Sequence, residues 1–472
     1  MRFKATVVLT AFLIILGIYL LYIELPREEK QKTAALTAGR LFSFSTLEIT
    51  RVRIEGPKGV FELEYFPDHP ESPWRMFLPV VTIANEDAAS RLASQLEGIR
   101  SNRLIEERPT DLKDFGLDPP AYTVIITLNQ TDTEILEIGS ENLTGSDVYV
   151  RKGQGTSLYL VPAGIKGFLD KDLKDWRQQE VFPAASFDIK KVQIQSSRGL
   201  LQVSRDDEAW SVRIEPPEGA DRKPVSARGD AGEISNLLGS LVNLRGDSFI
   251  DKQKEAVKEG LGSPILKIKL GVSEVERDGE FYRTENDPGV VYVVTTDLAP
   301  IYQISEQSFE AIDQPFSAFR DKRVVTLTTP EQIEEITIDR SGESLLLQRK
   351  EGAWWMEKPA QKKVEAAGRI SRLLTDIYNL RVEEFLDELD RKSPKAGLNN
   401  PTLSLQLKGK GGVSLGDIAF GRIEGEKIYA RSTGHPSPFF LNKGERDRLP
   451  TKEDLFPAPE PDIGEESSPP ES

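Results

Sequence analysis

The chain has no cysteine in 472 residues and only two histidines, His69 and His435. Without cysteine there is no disulfide, no zinc thiolate, no thiol nucleophile and no lipidated cysteine. Two lone histidines, each in a proline-rich loop ("FPDHPESPW", "STGHPSPF"), read as surface residues and leave no multi-histidine metal centre within one chain. The usual chemical signatures are missing too. H-E-x-x-H does not occur, and the one G-x-S-x-G match, Gly412–Gly416, lies among strand-like runs and not between a strand and a helix. "GKGG" at 409–412 lacks the Ser or Thr of a phosphate loop and stands between strand-like runs, so it reads as a hairpin turn. "DKDLKD" at 170–175 lacks the glycine and terminal glutamate of a calcium loop and reads as a solvated helix face. Acidic residues are everywhere, but nothing singles out a pair for glycoside hydrolysis. No catalytic, cofactor-binding or metal-ligating residue is assigned, and no cofactor is expected.

Basic charge is also short, with 61 Lys and Arg against 76 Asp and Glu and a net charge of −15. A mildly acidic surface argues against a nucleic-acid partner. Part of the excess lies in 457–472, a Pro-, Glu- and Ser-rich tail whose composition predicts disorder.

The one long uncharged run is residues 5–23, "ATVVLTAFLIILGIYLLYI". As a helix it would reach roughly 28 Å, near the thickness of a bilayer core. Arg2 and Lys4 precede it, and Tyr19 and Tyr22 sit near its far end. A cleavable signal has a shorter apolar core that ends in small residues. Here "ELPREEK" follows, so the expectation is an uncleaved anchor. Residues 1–4 would be a short cytoplasmic N-terminus, 5–23 a transmembrane helix and 24–45 a membrane-proximal linker. The bulk of the chain would then lie outside the inner membrane of a bacterial cell.

Beyond the linker an ordered set of marks occurs three times. Each set begins with a tryptophan strand: "PWRMFLP" at Trp74, "AWSVRIEP" at Trp210, "AWWMEKP" at Trp354. A helical stripe follows: Leu92, Leu96, Ile99; then Ile234, Leu237, Leu238, Leu241, Leu244; then Ile370, Leu373, Leu374, Ile377, Leu380. Next come the matching phrases "RSNRLIEE", "RGDSFIDK" and "RVEEFLDE", from Arg100, Arg245 and Arg381. A Gly-Leu-x-x-Pro phrase then opens at Gly116, Gly260 and Gly397 and launches alternating strands. The three glycines are expected at one structural position, where the chain turns with positive φ. Further strands follow around Tyr149, Tyr292 and Tyr429.

The period is too long for a solenoid repeat. The expectation is α+β, three tandem repeats at 46–183, 186–328 and 329–456, each a mostly antiparallel sheet packed against one long helix. Trp74, Trp210 and Trp354 read as core or rim residues, with glycan stacking as the alternative.

The layout resembles an uncharacterised bacterial family, a domain of unknown function with an N-terminal membrane span and repeated α+β units. Trp74–Pro79, Trp354–Pro359, Gly116–Pro120, Gly397–Pro401, Tyr149-Val150 and Tyr429-Ala430 carry the resemblance, and the Trp210 phrase departs from it. The resemblance implies an accessory component encoded beside ABC-type export permeases of the gliding-motility kind, and no catalytic residues. The functional expectation is a non-enzymatic, membrane-anchored scaffold or accessory subunit with an ABC-type permease as partner. The alternative is a cell-envelope glycan- or polymer-binding module, which needs exposed aromatics on equivalent faces of the repeats. A hydrolase would need one repeat to carry a polar cluster that the others lack.

Overall fold

A computed structural model describes residues 39–456, apart from 71, 107–110, 154, 207–208, 221–222, 274, 297, 341, 366 and 390–392. The run 5–23, read as a membrane anchor, and the acidic tail lie outside the described residues. Among the described residues no helix is long and apolar enough to cross a membrane.

Alternating side chains in the first repeat build β1 (Ile49–Gly56), β2 (Gly59–Tyr65), β3 (Trp74–Leu78), β4 (Thr82–Ile83), β5 (Arg103–Glu106), β6 (Tyr122–Leu128), β7 (Asp132–Glu141), β8 (Asp147–Lys152) and β9 (Leu158–Pro162). In β6 the burial alternates strictly: Tyr122, Val124, Ile126 and Leu128 face the core, while Thr123, Ile125 and Thr127 face outward. The second repeat gives β10 (Ile189–Ser196), β11 (Gly199–Asp206), β12 (Ala209–Glu215), β13 (Val225–Arg228), β14 (Ser248–Ile250), β15 (Leu266–Val272), β16 (Val275–Tyr282), β17 (Val290–Val294) and β18 (Ile301–Ser305). The third gives β19 (Glu335–Arg340), β20 (Glu343–Lys350), β21 (Ala353–Lys358), β22 (Lys362–Lys363), β23 (Glu384–Phe385), β24 (Leu403–Lys408), β25 (Ser414–Glu424), β26 (Lys427–Ser432) and β27 (Phe439–Asn442).

These form three nine-stranded antiparallel sheets with one strand order. It runs 4-3-2-1-6-7-8-9-5 when strands are counted within each repeat. The repeat read from the sequence marks is thus a repeat of topology.

The three stripes lie on α1 (Glu86–Gly98), α2 (Ala231–Val242) and α4 (Ala367–Asn379). Asn85 caps α1 through the Ala88 amide, and Asp230 caps α2 through the Gly232 and Glu233 amides. Leu92 and Leu96 enter the first core beside Val52, Ile54, Val124, Ile126 and Val150. Ile99, Leu244 and Leu380 are buried just beyond their helices' ends.

The chain gathers into two compact units. The first takes residues up to Val181 with Arg245–Gly260 and Tyr292–Gln303. The second takes Phe182–Leu244, Leu261–Val291 and the rest from Ile304. The first is built on the core around α1. The second contains a core in which Ile370, Leu373, Leu374 and Ile377 of α4 pack on Ile336, Leu347, Leu405 and Phe420.

One expectation fails at the middle Gly-Leu phrase. Gly116 and Gly397 have φ of +65° and +67°, but Gly260 closes a short helix, α3 (Lys254–Gly260), and the positive φ of +74° falls on Gly262. The cause lies on the neighbouring strand. Ile138, Phe281 and Phe420 are register equivalents, opposite Tyr122, Leu266 and Leu403. The next residues are Gly139, Tyr282 and Gly421. A Cβ on Gly139 would stand 2.1 Å from the Phe115 carbonyl oxygen, and one on Gly421 2.1 Å from that of Ala396. The Gly-Leu loop closes over a bare strand in repeats one and three. Tyr282 fills that place in repeat two, so the loop takes another course.

Candidate functional site

Among the described residues no group of three or more His, Asp or Glu is placed to hold a metal ion. "GKGG" forms the tight turn between β24 and β25. In "DKDLKD" the Asp175 carboxylate accepts the Asp172 amide, and Lys58 pairs with Asp172 at 3.2 Å. Trp74 is a core residue, and Trp210 and Trp354 are half-buried. Tyr65, exposed opposite Trp74, has Arg205 and Arg349 as its counterparts opposite Trp210 and Trp354. Exposed aromatics therefore do not recur at this position.

His435 corrects the reading of a surface histidine. It is 5% exposed, its Nε2 lies 2.9 Å from the Arg323 carbonyl oxygen, and its ring packs at 5.4 Å from Phe385 and 5.3 Å from Phe439. A carbonyl only accepts, so Nε2 carries the proton in that bond.

The polar residues that recur with the fold converge on a different feature, where one repeat passes into the next. In each repeat the incoming strand of chain pairs with the residues just before the fifth strand. Ser101 N–H donates to Gly39, Gly246 N–H to Gln179 and Val382 N–H to Lys322. The bridges Arg40↔Arg100, Glu180↔Arg245 and Arg323↔Arg381 mark the same place. Just upstream, the carbonyls of Trp176 and Phe319 accept the amides of Asn85 and Asp230, the N-caps of α1 and α2. Between these two anchor points lie Arg177 and Gln178 in the first junction and Arg320 and Asp321 in the second.

Within the first unit, Arg177 is 2% exposed. Its Nη2 donates to Asp251 at 2.7 Å, and its guanidinium lies 4.6 Å from the Phe249 ring centre. Within the second unit, Arg320 is fully buried. Its Nη1 donates to both Asp387 oxygens at 2.7 and 2.9 Å, and its guanidinium lies 3.6 Å from the Phe385 ring centre. Phe249-Ile250-Asp251 and Phe385-Leu386-Asp387 are the same positions on β14 and just past β23.

Arginine suits this role because its flat, permanently charged head stacks on a ring and donates to a carboxylate at once. The burial is not fully compensated. Nε of Arg177 and both Nε and Nη2 of Arg320 have no hydrogen-bond partner among the described residues. Burial accordingly depresses the Arg320 pKa, and the Asp387 charge and hydrogen bonds oppose that shift.

Asp321, beside Arg320, is 4% exposed and held by Arg323 through Nε at 2.9 Å and Nη2 at 2.6 Å, with Arg228 at 3.5 Å. Burial pushes its pKa up. The hydrogen bonds and charge of Arg323, helped by Arg228, outweigh burial and leave it below the usual carboxylate value.

The sequence reading matched the FID and FLD phrases but missed the arginines. The signal was present: Trp176-Arg177 and Phe319-Arg320 are apolar-Arg pairs one repeat length apart.

Fold and junctions together define a tandem α+β repeat protein whose successive repeats are latched by buried arginines. The chain belongs to the family described as "Domain of unknown function (DUF4340)", whose model matches it twice, at residues 74–264 and 222–401. Each match spans one latch, Arg177 with Asp251 and Arg320 with Asp387. No curated protein matches the chain. Solved structures similar to it include a DNA polymerase sliding clamp from Pseudomonas aeruginosa. It is 8% identical over 86% of this chain and 94% of that one, with a TM-score of 0.13. Another is a putative DNA polymerase III beta subunit from Eubacterium rectale, 7% identical over 86% and 94%, with a TM-score of 0.18. At such TM-scores the likeness carries no argument.

Proposed function

We propose that the protein is a non-enzymatic scaffold or accessory subunit of an ABC-type transport or export system. It is held in the bacterial inner membrane by residues 5–23, with its repeats outside the cytoplasm. The observation that carries this reading is the use of the recurring buried charges. Arg177–Asp251 and Arg320–Asp387 join repeats. The uncharged run at 5–23 supports the anchor, and the resemblance to the family supports the permease.

The test is purification of the full chain from native membranes in mild detergent. The permease is expected to travel with it, and a reporter fused after Pro457 is expected to be active outside the cytoplasm. A soluble mature form lacking residues 1–30 overturns the anchor. Turnover of a glycan or peptide that is lost on changing a single acid overturns the non-enzymatic reading.

A further inference from the structure

The two latches are not built alike, and the difference lies in the hydrogen-bonding atoms that each leaves over. At the second, Nη1 of Arg320 donates to both oxygens of Asp387. At the first, Nη2 of Arg177 donates to Oδ2 of Asp251 alone, at 2.7 Å. In a guanidinium the Nε–H points the same way as one N–H of Nη2, and a carboxylate that meets this edge squarely accepts from both. Here Nε of Arg177 and Oδ1 of Asp251 are both buried, and neither has a hydrogen-bond partner among the described residues. They are the two atoms that a squarely docked pair would join.

A third such atom sits beside them. Tyr302 on β18 faces Phe249 on β14 with ring centres 6.0 Å apart, and the Arg177 guanidinium lies on Phe249 at 4.6 Å. In the third repeat the residue in the place of Tyr302 is Phe439, which has no hydroxyl. Tyr302 is fully buried, and its hydroxyl has no hydrogen-bond partner among the described residues. Burial pushes its pKa up. The Gln178 side chain and the Arg177 charge oppose that shift and the Glu180 charge adds to it, so the hydroxyl lies close to residues 177–180. Gln178 does not satisfy it, because its amide nitrogen donates to the Glu180 carbonyl at 3.0 Å.

The leftover set is one donor, one acceptor and one hydroxyl that can act as either. The surrounding charges cancel, since Arg177 pairs with Asp251 and Arg245 with Glu180 at 2.8 Å. A cation placed here would meet the Nε–H, and an anion would meet Oδ1. A water molecule satisfies all three atoms. It accepts from Nε and from the Tyr302 hydroxyl and donates to Oδ1, and about three hydrogen bonds is the usual complement of a buried water.

We propose that the first latch contains a binding site for one structural water molecule, held by Arg177 Nε, Asp251 Oδ1 and the Tyr302 hydroxyl. The water completes the fork between arginine and carboxylate and ties β18 into the junction. The inference concerns the junction alone and does not depend on the permease.

A crystal structure of the full chain that shows ordered water tests the site without any substitution. One water is expected within about 3.2 Å of all three atoms. A direct bond from Arg177 Nε to Asp251 Oδ1, a direct bond from the Tyr302 hydroxyl to a protein atom, or a water that misses the hydroxyl overturns the proposal. Hydrogen exchange in detergent gives a second reading at the Gly246 amide, which donates to the Gln179 carbonyl at 3.0 Å within this junction. Tyr302→Phe is expected to speed that exchange about threefold to tenfold, as loss of one buried hydrogen bond does. In an Arg177→Met background, where the water has lost a donor, the same change is expected to matter less than about twofold. An equal effect in both backgrounds, or none in the natural one, overturns the shared water.

Discussion

Removing the smaller, more exposed partner of the second latch should do more damage than removing the larger, buried one. Asp387 keeps 29% of its side-chain surface in water, whereas Arg320 has none. In Arg320→Met the stem volume is nearly kept and the carboxylate left behind is rehydrated. The loss is the ring contact with Phe385 and a partly exposed ion pair, about 1–2 kcal/mol. In Asp387→Ala the guanidinium stays buried with no carboxylate, and its Nε and Nη2 already lack hydrogen-bond partners among the described residues. Breaking a buried pair from that side costs about 3–5 kcal/mol. The double variant removes the stranded charge and should return to about the level of Arg320→Met. One substitution therefore changes sign with background: Arg320→Met destabilises the natural protein and stabilises Asp387→Ala by about 2 kcal/mol. The chain has more than one compact unit, so a single melting temperature is not the right measure. Hydrogen exchange at the Val382 amide, bonded to Lys322 at 2.8 Å, reads the junction directly. Destabilisation by Arg320→Met in both backgrounds, or a smaller loss from Asp387→Ala than from Arg320→Met, refutes the reasoning.

Asp321 gives a pH signature at the same place. Its folded pKa lies below the ordinary value of 3.8, so its contribution is complete above that value and disappears as pH falls through the folded pKa. Asp321→Asn should lose about 1.5–3 kcal/mol at neutral pH and flatten the acid limb of a stability-against-pH curve. An unchanged acid limb would show that Asp321 is not the titrating group. Gly139→Ala and Gly421→Ala should each cost about 1–3 kcal/mol or more, since the new methyl meets a loop carbonyl oxygen. Gly98→Ala, at a helix end with nothing within 4 Å, should be neutral or stabilising by about 0.5–1 kcal/mol. Urea denaturation of the three variants checks this, and equal effects would remove the packing explanation for the divergent middle loop.

The parts of the fold that were legible in the sequence are those set by local periodicity. Leu92 and Leu96, or Leu373 and Ile377, lie on one helix face whatever they pack against, and strict alternation in Tyr122–Leu128 places four side chains inside. The Gly-Leu phrase was legible only in part, because its conformation depends on a residue some twenty positions downstream. Gly139 and Gly421 admit the left-handed turn at Gly116 and Gly397. Tyr282 does not, and nothing in "GLGSP" itself announces that. His435 was misread for a related reason. A Pro- and Gly-rich context argues for a loop, but burial comes from Phe385 and Phe439, which the loop context does not reveal.

The latches belong to a third category. Each half was visible as a repeated phrase, but the pairing joins residues 74 positions apart in one case and 67 in the other. Periodicity within one repeat carries no information about a contact made between two. The comparison that exposes it is between copies. Where a repeat follows another, an apolar-Arg pair and a Phe-x-Asp phrase occur together. In the first repeat the position of Phe249 and Phe385 holds Leu104. The arginine latch recurs at both junctions while the strand order is the same in all three sheets. These charges are distributed one per junction.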